Sequence, residues 1–328
     1  MPGRGRSMLV ARRVALALFA ATALAGPAPA QDRPVVAVTA IVEHPALDAA
    51  RDGIKEALAA EGFVDGETIT FIYESAQGNP ATAAQIARKL VGEAPAVIVP
   101  ISTPSAQAVV GATRDIPVVF TAVTDPVGAK LVADARHPGG NVTGMSDLSP
   151  IGKHLDLVKE IVPGVQRLGV IYNPGEANSL TLLELLKAEA PARGIEIEEA
   201  PAPRSSDVLP AAQSLVGQAE AIYVPTDNTV VTALEAIVQV GQQNKLPVIA
   251  GDTDSVPRGA IAALGFNYGD VGRQTGRIVA RVLKGEKPGD IPVEGVEITE
   301  LVVNPKAAEA MGVTLPEALV AKAETVVQ

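Results

Sequence analysis

Ala96-Val-Ile-Val-Pro-Ile-Ser-Thr-Pro-Ser-Ala106 is a β-branched run that ends abruptly in hydroxyls and a proline. It predicts a strand over Ala96–Ile101, and Pro104, behind a Thr103 N-cap, starts a helix. The next apolar run, Pro117–Thr121, ends the same way in Thr121-Ala-Val-Thr-Asp-Pro126, and a helix is read from Pro126. Strands that empty straight into helix starts are the unit of a parallel sheet, and the pattern continues in both directions.

Toward the N-terminus lie strand Val35–Val42, helix Leu47–Glu61 ending at Gly62, strand Thr68–Tyr73 and helix Ala81–Val91. Asn141–Gly144 closes this first set. A second set follows Ser149-Pro150: helix Ile151–Val162, strand Leu168–Tyr172, helix Leu180–Ala192, strand Ile195–Glu199 and helix Val208–Val216. Strand Ala221–Pro225, helix Thr229–Asn244, strand Leu246–Ala250, a weak strand Ala260–Gly265, helix Asp270–Lys284 and a tail strand Ile298–Val303 complete it. The expected fold is α/β, with two doubly wound Rossmann-like lobes: 31–148, joined by 270–328 crossing back to it, and 149–269. Ligands of such sheets sit beyond the carboxyl ends of the strands, so the site is expected in a cleft between the lobes that a hinge can close.

Composition narrows the chemistry. Of 328 residues 47% are hydrophobic and none is cysteine, which removes disulfides, thiol catalysis and Cys-ligated metals. The net charge of −10 argues against nucleic acid as a partner. Arg4, Arg6, Arg12 and Arg13, the uncharged run Val14–Ala25 and Ala28-Pro-Ala30 read as a signal peptide over 1–30, cut after Ala30. Its loss takes the charge to −14 and leaves a chain expected in the periplasm. No Gly-x-Gly-x-x-Gly, Walker, Gly-x-Ser-x-Gly or His-Glu-x-x-His motif is present, and His44, His137 and His154 lack metal-ligand spacing, so surface or capping roles are expected of them. No cofactor and no metal is expected.

The strand ends supply the candidate site. Ser102, Thr103 and Ser105, with Thr121, Thr124 and Asp125, form a hydroxyl-rich floor beside helix N-termini that suits a carboxylate. Glu43, His44 and Gln77 follow the first two strands of that lobe; Asn173, Asp227, Asn228 and Asp252 follow strands of the other. Asp227 and Asp252 place negative charge opposite the floor, so the pair of mouths fits a zwitterion. Asp227→Ala is expected to weaken an amine ligand far more than the fold. Phe120, Tyr172, Tyr223 and Tyr268 are taken as core. A hydrolase would have to use Ser105 with His44, without an elbow motif.

Phe120-Thr-Ala-Val-Thr-Asp-Pro-Val-Gly-Ala-Lys130, Pro138-Gly-Gly-Asn-Val-Thr-Gly144 and Val224-Pro-Thr-Asp-Asn228 resemble the substrate-binding proteins of bacterial ABC importers. Together with Glu43–Asp48 and Ser75–Gly78 they look like the TrpX-like, tryptophan/aromatic amino-acid-binding branch. The resemblance runs from about Val35 to the C-terminus. It implies type I periplasmic-binding-protein architecture, an amino acid-like solute bound by domain closure, and delivery to a membrane permease with its ATPase subunit. It also implies ligand contacts at Ser102–Ser105, Thr121–Asp125 and Asp227–Asn228. A sensory module for a membrane receptor has the same fold.

Overall fold

The computed structural model describes residues 33–296 and 298–328; the signal peptide expected over 1–30 lies outside them. The first lobe runs β1 (Val35–Ala40), α1 (Pro45–Ala60), β2 (Thr70–Ser75), α2 (Pro80–Gly92), β3 (Val97–Ile101), α3 (Thr103–Ala112), β4 (Val118–Val123) and β5 (Val142–Ser146). The chain then crosses to the second lobe: α4 (Ile151–Ile161), β6 (Arg167–Tyr172), α5 (Ala177–Glu189), β7 (Glu196–Pro201), α6 (Val208–Ser214), β8 (Ala221–Val224), α7 (Asn228–Thr232), α8 (Leu234–Asn244), β9 (Val248–Ala250) and β10 (Ala262–Gly265). It returns through α9 (Tyr268–Leu283) and β11 (Glu294–Gly295), then crosses again to β12 (Glu300–Val303), α10 (Pro305–Ala310), α11 (Glu317–Lys322) and β13 (Thr325–Val326).

The first sheet is ordered β11-β5-β4-β3-β1-β2 and the second β13-β12-β10-β9-β8-β6-β7. Every pairing is parallel except β10 with β12. Buried strands of this kind carry side chains to helices on both faces. Val36, Val38, Val97 and Val99 meet α1 and α9 on one side of the first sheet, while Ala37, Ile98, Val118 and Phe120 meet α2 and α3 on the other. Leu168, Val170, Ile222 and Val248 belong to the core of the second lobe. In each lobe the strand order reverses at one place, between β1 and β3 and between β6 and β8, and a crevice opens there at the carboxyl ends.

Two expected helices differ. After Pro126 the chain makes turns, because Asp125 accepts hydrogen bonds from the N–H groups of Val127 and Gly128 and Lys130 takes a positive φ of 61°. The helix expected over Thr229–Asn244 is two helices, broken at Ala233 (φ −110°, ψ 26°). The tail differs as well. Residues 268–295 lie on the first lobe, but β12 and β13 extend the second sheet, so the expectation that all of 270–328 returns to the first lobe is corrected. The cause is the antiparallel pairing of β12 along β10, Ala262 opposite Val303 and Gly265 opposite Glu300.

α9 packs against α1 at a distance only glycine permits. A Cβ on Gly272 would stand 2.1 Å from the Ala50 carbonyl oxygen, and one on Gly53 2.2 Å from that of Gly269. Both helices begin at the cleft, so this seam fixes the position of two of its walls.

Candidate functional site

Between the carboxyl ends of the two sheets lies a cavity. The first lobe contributes His44, Ala46 and Leu47 after β1, Ser102 after β3, and Ala122 and Thr124 at the end of β4. The second contributes Asn178 at the start of α5, Thr226, Asp227, Asn228 and Val231 around α7, and Asp252 after β9. Asp147 and Tyr268, on two of the segments that cross between lobes, complete the wall.

The first-lobe mouth is rich in idle donors. His44 and Ser102 hold the N-cap positions of α1 and α3, and neither makes a side-chain cap bond. The opening N–H groups of a helix have no intrahelical partner. Those of Ala46 and Leu47 at α1, and of Thr103 and Ser105 at α3, find no acceptor among the described residues. His44 Nδ1 and the hydroxyls of Ser102, Thr103 and Ser105 are buried and likewise unpartnered. Burial, with the Arg258 charge nearby, pulls the His44 imidazole down to about 3, so the ring is neutral. The backbone is strained here too: Ser102 and Ala122 adopt φ of 75° and 52°, where a side chain costs roughly 1–3 kcal/mol.

The second-lobe mouth is mixed: the Thr226 hydroxyl is buried and unpartnered and the opening N–H groups of α5 find no acceptor among the described residues, whereas α7 is capped. The N–H groups of Asn228 and Thr229 donate to the buried Glu176 carboxylate (3.3 and 3.2 Å), and that of Val230 to Asp227 Oδ1 (2.9 Å), so the start of α7 is already satisfied. Asp227 Oδ2 also accepts from the Asn173 N–H and the Ser179 hydroxyl, each at 2.6 Å. Burial and the adjacent Glu176 carboxylate push the Asp227 carboxyl up to about 7. Asp252 is held by the Ser255 N–H (2.9 Å) and hydroxyl (2.6 Å), and burial raises it as well. At the crossing segments Asp147 accepts from the Tyr268 hydroxyl at 2.7 Å and is likewise raised by burial. Three buried carboxylates therefore face one cavity, with no Lys or Arg side chain among the residues that line it.

Of the residues expected from sequence, His44, Ser102, Thr124, Asp227, Asn228 and Asp252 line the cavity together. Thr103 and Ser105 lie buried on α3 just behind Ser102. Glu43 and Gln77 hydrogen-bond each other (3.1 Å), and Gln77 lines a separate groove. Thr121 is in the core, its hydroxyl 2.7 Å from that of Thr275. Asp125 caps an exposed turn, and Asn173 braces the loop below, donating to Glu176 and Thr229. Because Asp227 anchors three donors of its own lobe, Asp227→Ala loses fold stability along with any ligand contact, and the expected separation of the two is corrected.

Other corrections follow from burial. His44 and His154 are not surface residues: His154 Nδ1 lies 2.6 Å from the buried Tyr223 hydroxyl inside the second lobe. Tyr268 is buried in the first-lobe core, as expected, and also lines the cavity. His44 and Ser105, the pair a hydrolase would need, share no hydrogen bond. Asp147, Asn178 and Thr226 were not singled out from the sequence. Asp147 had one available signal, its place two residues before the Ser149-Pro150 break between the strand sets.

Residues 35–327 match the family model described as ABC transporter substrate binding protein. A tyrosine-binding protein of Clostridioides difficile is 41% identical over 276 residues, 84% of this chain and 80% of that one. Among solved structures, an ABC domain from Streptococcus pneumoniae in complex with L-Trp is 34% identical with a TM-score of 0.87, covering 90% of this chain and 100% of that one. A ligand-free, open substrate-binding protein with adhesive properties from Clostridium difficile is 39% identical, with a TM-score of 0.68 over 90% and 99% of the two chains. More distant solute-binding proteins, 18% and 15% identical with TM-scores of 0.61 and 0.59, share the type I fold.

Proposed function

The chain belongs to the ABC transporter substrate-binding protein family, and from that premise we propose that its cleft holds an aromatic α-amino acid, carboxylate toward the first lobe and ammonium toward the second. It is a binding protein and not an enzyme, and it works by presenting its solute to a membrane permease. The observation that carries the orientation is the contrast between the mouths. Idle N–H groups and hydroxyls on one side call for an anion, and buried carboxylates on the other call for a cation.

The amino-acid class is supported by the tyrosine-binding relative and by the neighbour solved with L-Trp. The better match to that complex than to an open, ligand-free protein supports reading this arrangement of the lobes as the closed one. In the proposed cycle the solute bridges both lobes and shifts the population toward the closed form. The permease recognises that form, and a separate ATPase subunit drives release. The family places the protein outside the cytoplasm; export by a signal peptide cut after Ala30, into the periplasm, is part of the proposal.

Isothermal titration of protein unfolded and refolded to strip carried-over solute tests it. One aromatic amino acid should saturate at a single site. Flat heats for tyrosine, tryptophan and phenylalanine alike would remove the assignment.

A further inference from the structure

Asn178 is buried, lines the cavity, and carries an Oδ1 with no hydrogen-bond partner. Its orientation is not free. Nδ2 donates to Glu176 Oε2 and to the Thr226 carbonyl oxygen, both at 3.2 Å, so both amide N–H groups face away from the ligand space. Glu176 is held in turn. Oε2 accepts Asn228 Nδ2 at 2.6 Å and the Asn228 N–H at 3.3 Å, while Oε1 accepts the Thr229 hydroxyl (2.8 Å) and N–H (3.2 Å) and Asn173 Nδ2 (3.3 Å).

We propose that Asn178 Oδ1 receives a hydrogen bond from the ligand's ammonium, and that Glu176 is the positioning residue that compels the amide to present oxygen rather than nitrogen. A free asparagine can rotate by half a turn and serve an acceptor as readily as a donor. With both N–H groups committed, this one is a pure acceptor, and it selects for a group that donates. Glu176 has a second effect. Its carboxylate occupies the amides of Asn228 and Thr229, so the start of α7 has no N–H group left with which to hold a carboxylate.

This inference rests on the amino-acid reading of the cleft, so its test compares two ligands rather than two proteins alone. L-tyrosine and its desamino analogue, 3-(4-hydroxyphenyl)propionate, are titrated into the wild-type chain and into Asn178→Leu, Asn178→Ser and Glu176→Gln. Asn178→Leu should lose about 10- to 100-fold for tyrosine and leave the desamino compound within about twofold, since only the former brings a donor to the orphaned acceptor. Asn178→Ser covers the case in which leucine disturbs folding and should narrow the tyrosine preference in the same direction. Glu176→Gln frees the amide and should narrow it with Asn178 intact.

A tyrosine-to-desamino ratio that stays at the wild-type value in all three variants, in protein whose melting temperature shows it folded, overturns the inference and leaves the cleft assignment standing. Equal loss for both ligands overturns it too, because that is the signature of a purely structural role. Wild-type protein that binds none of tyrosine, tryptophan and phenylalanine overturns the inference and the assignment together; where tryptophan or phenylalanine binds in place of tyrosine, that amino acid and its desamino analogue are the pair compared.

Discussion

The two mouths of the cleft are built on the same strand order and finished in different ways. In the first lobe α1 and α3 arrive with their opening amides uncapped; in the second, α7 arrives with every opening amide held by Glu176 or Asp227. Fold topology thus delivers a helix start to each side of the cleft, and side-chain choice within a few residues decides whether it is left available. The contrast teaches that capping, usually treated as a stabilising detail of one helix, here decides whether a given helix start at the cleft keeps its amides available.

The contrast breaks most visibly at Asp227. Asp227→Asn keeps the shape and removes the charge, so an amino acid should bind about 100-fold more weakly in titration calorimetry, consistent with loss of a charged, buried hydrogen bond. Unchanged affinity would move the ammonium elsewhere. Next in size is the glycine seam that holds α1 at the first mouth. Gly272→Ala places a Cβ 2.1 Å from a carbonyl oxygen and should lower stability by about 1–3 kcal/mol in denaturant unfolding, with weaker ligand binding as α1 shifts. Full stability in that variant would mean that α1 is held by something other than the seam.

The pH response sharpens the comparison, because one carboxyl produces two opposite trends. Below its value of about 7, Asp227 must give up a proton before it can take an ammonium, so affinity should fall by about fivefold from pH 7 to 6 and approach tenfold per unit below that. Its effect on folding has the other sign. The folded-state value lies above the ordinary 3.8, so between these limits the folded chain keeps a proton that the unfolded chain has released. The stability from this group is complete at low pH and is lost as pH rises through 7. Asp227→Asn should flatten both slopes near pH 7, read from titrations and melts at matched pH values, and leave the parts due to Asp147 and Asp252. The smallest effect belongs to the first mouth: Ser102→Ala removes one idle hydroxyl and should weaken binding only about threefold, with an unchanged melting temperature.

Much of this could be read before any coordinates. β-branched runs ending in Ser, Thr or Asp and a proline identify both the parallel sheets and the ends that carry chemistry, as at Ile101-Ser102 and Val224-Asp227. What the sequence withheld is which hydroxyl or carboxylate at a strand end turns inward. Thr121 and Thr124 stand three apart on the same run, yet Thr121 lies inside β4 and faces Thr275 in the core while Thr124 lies just past the strand end and lines the cavity. Asn178 was hidden for another reason. Its role depends on Glu176 and Thr226, and the latter lies 48 residues away along the chain, so no local pattern announces it. Asp147 and Tyr268 are 121 residues apart and meet only because both cross between the lobes.

Those crossings lie side by side: Gly295 pairs with Ser146, Gly265 pairs with Glu300, and the Tyr268 hydroxyl bridges to Asp147. Three neighbouring straps bend readily about a line drawn across them and resist both twisting and sliding. If the lobes close on the solute as proposed, rotation about that line is the motion these straps oppose least, and a transporter would then meet one closed geometry.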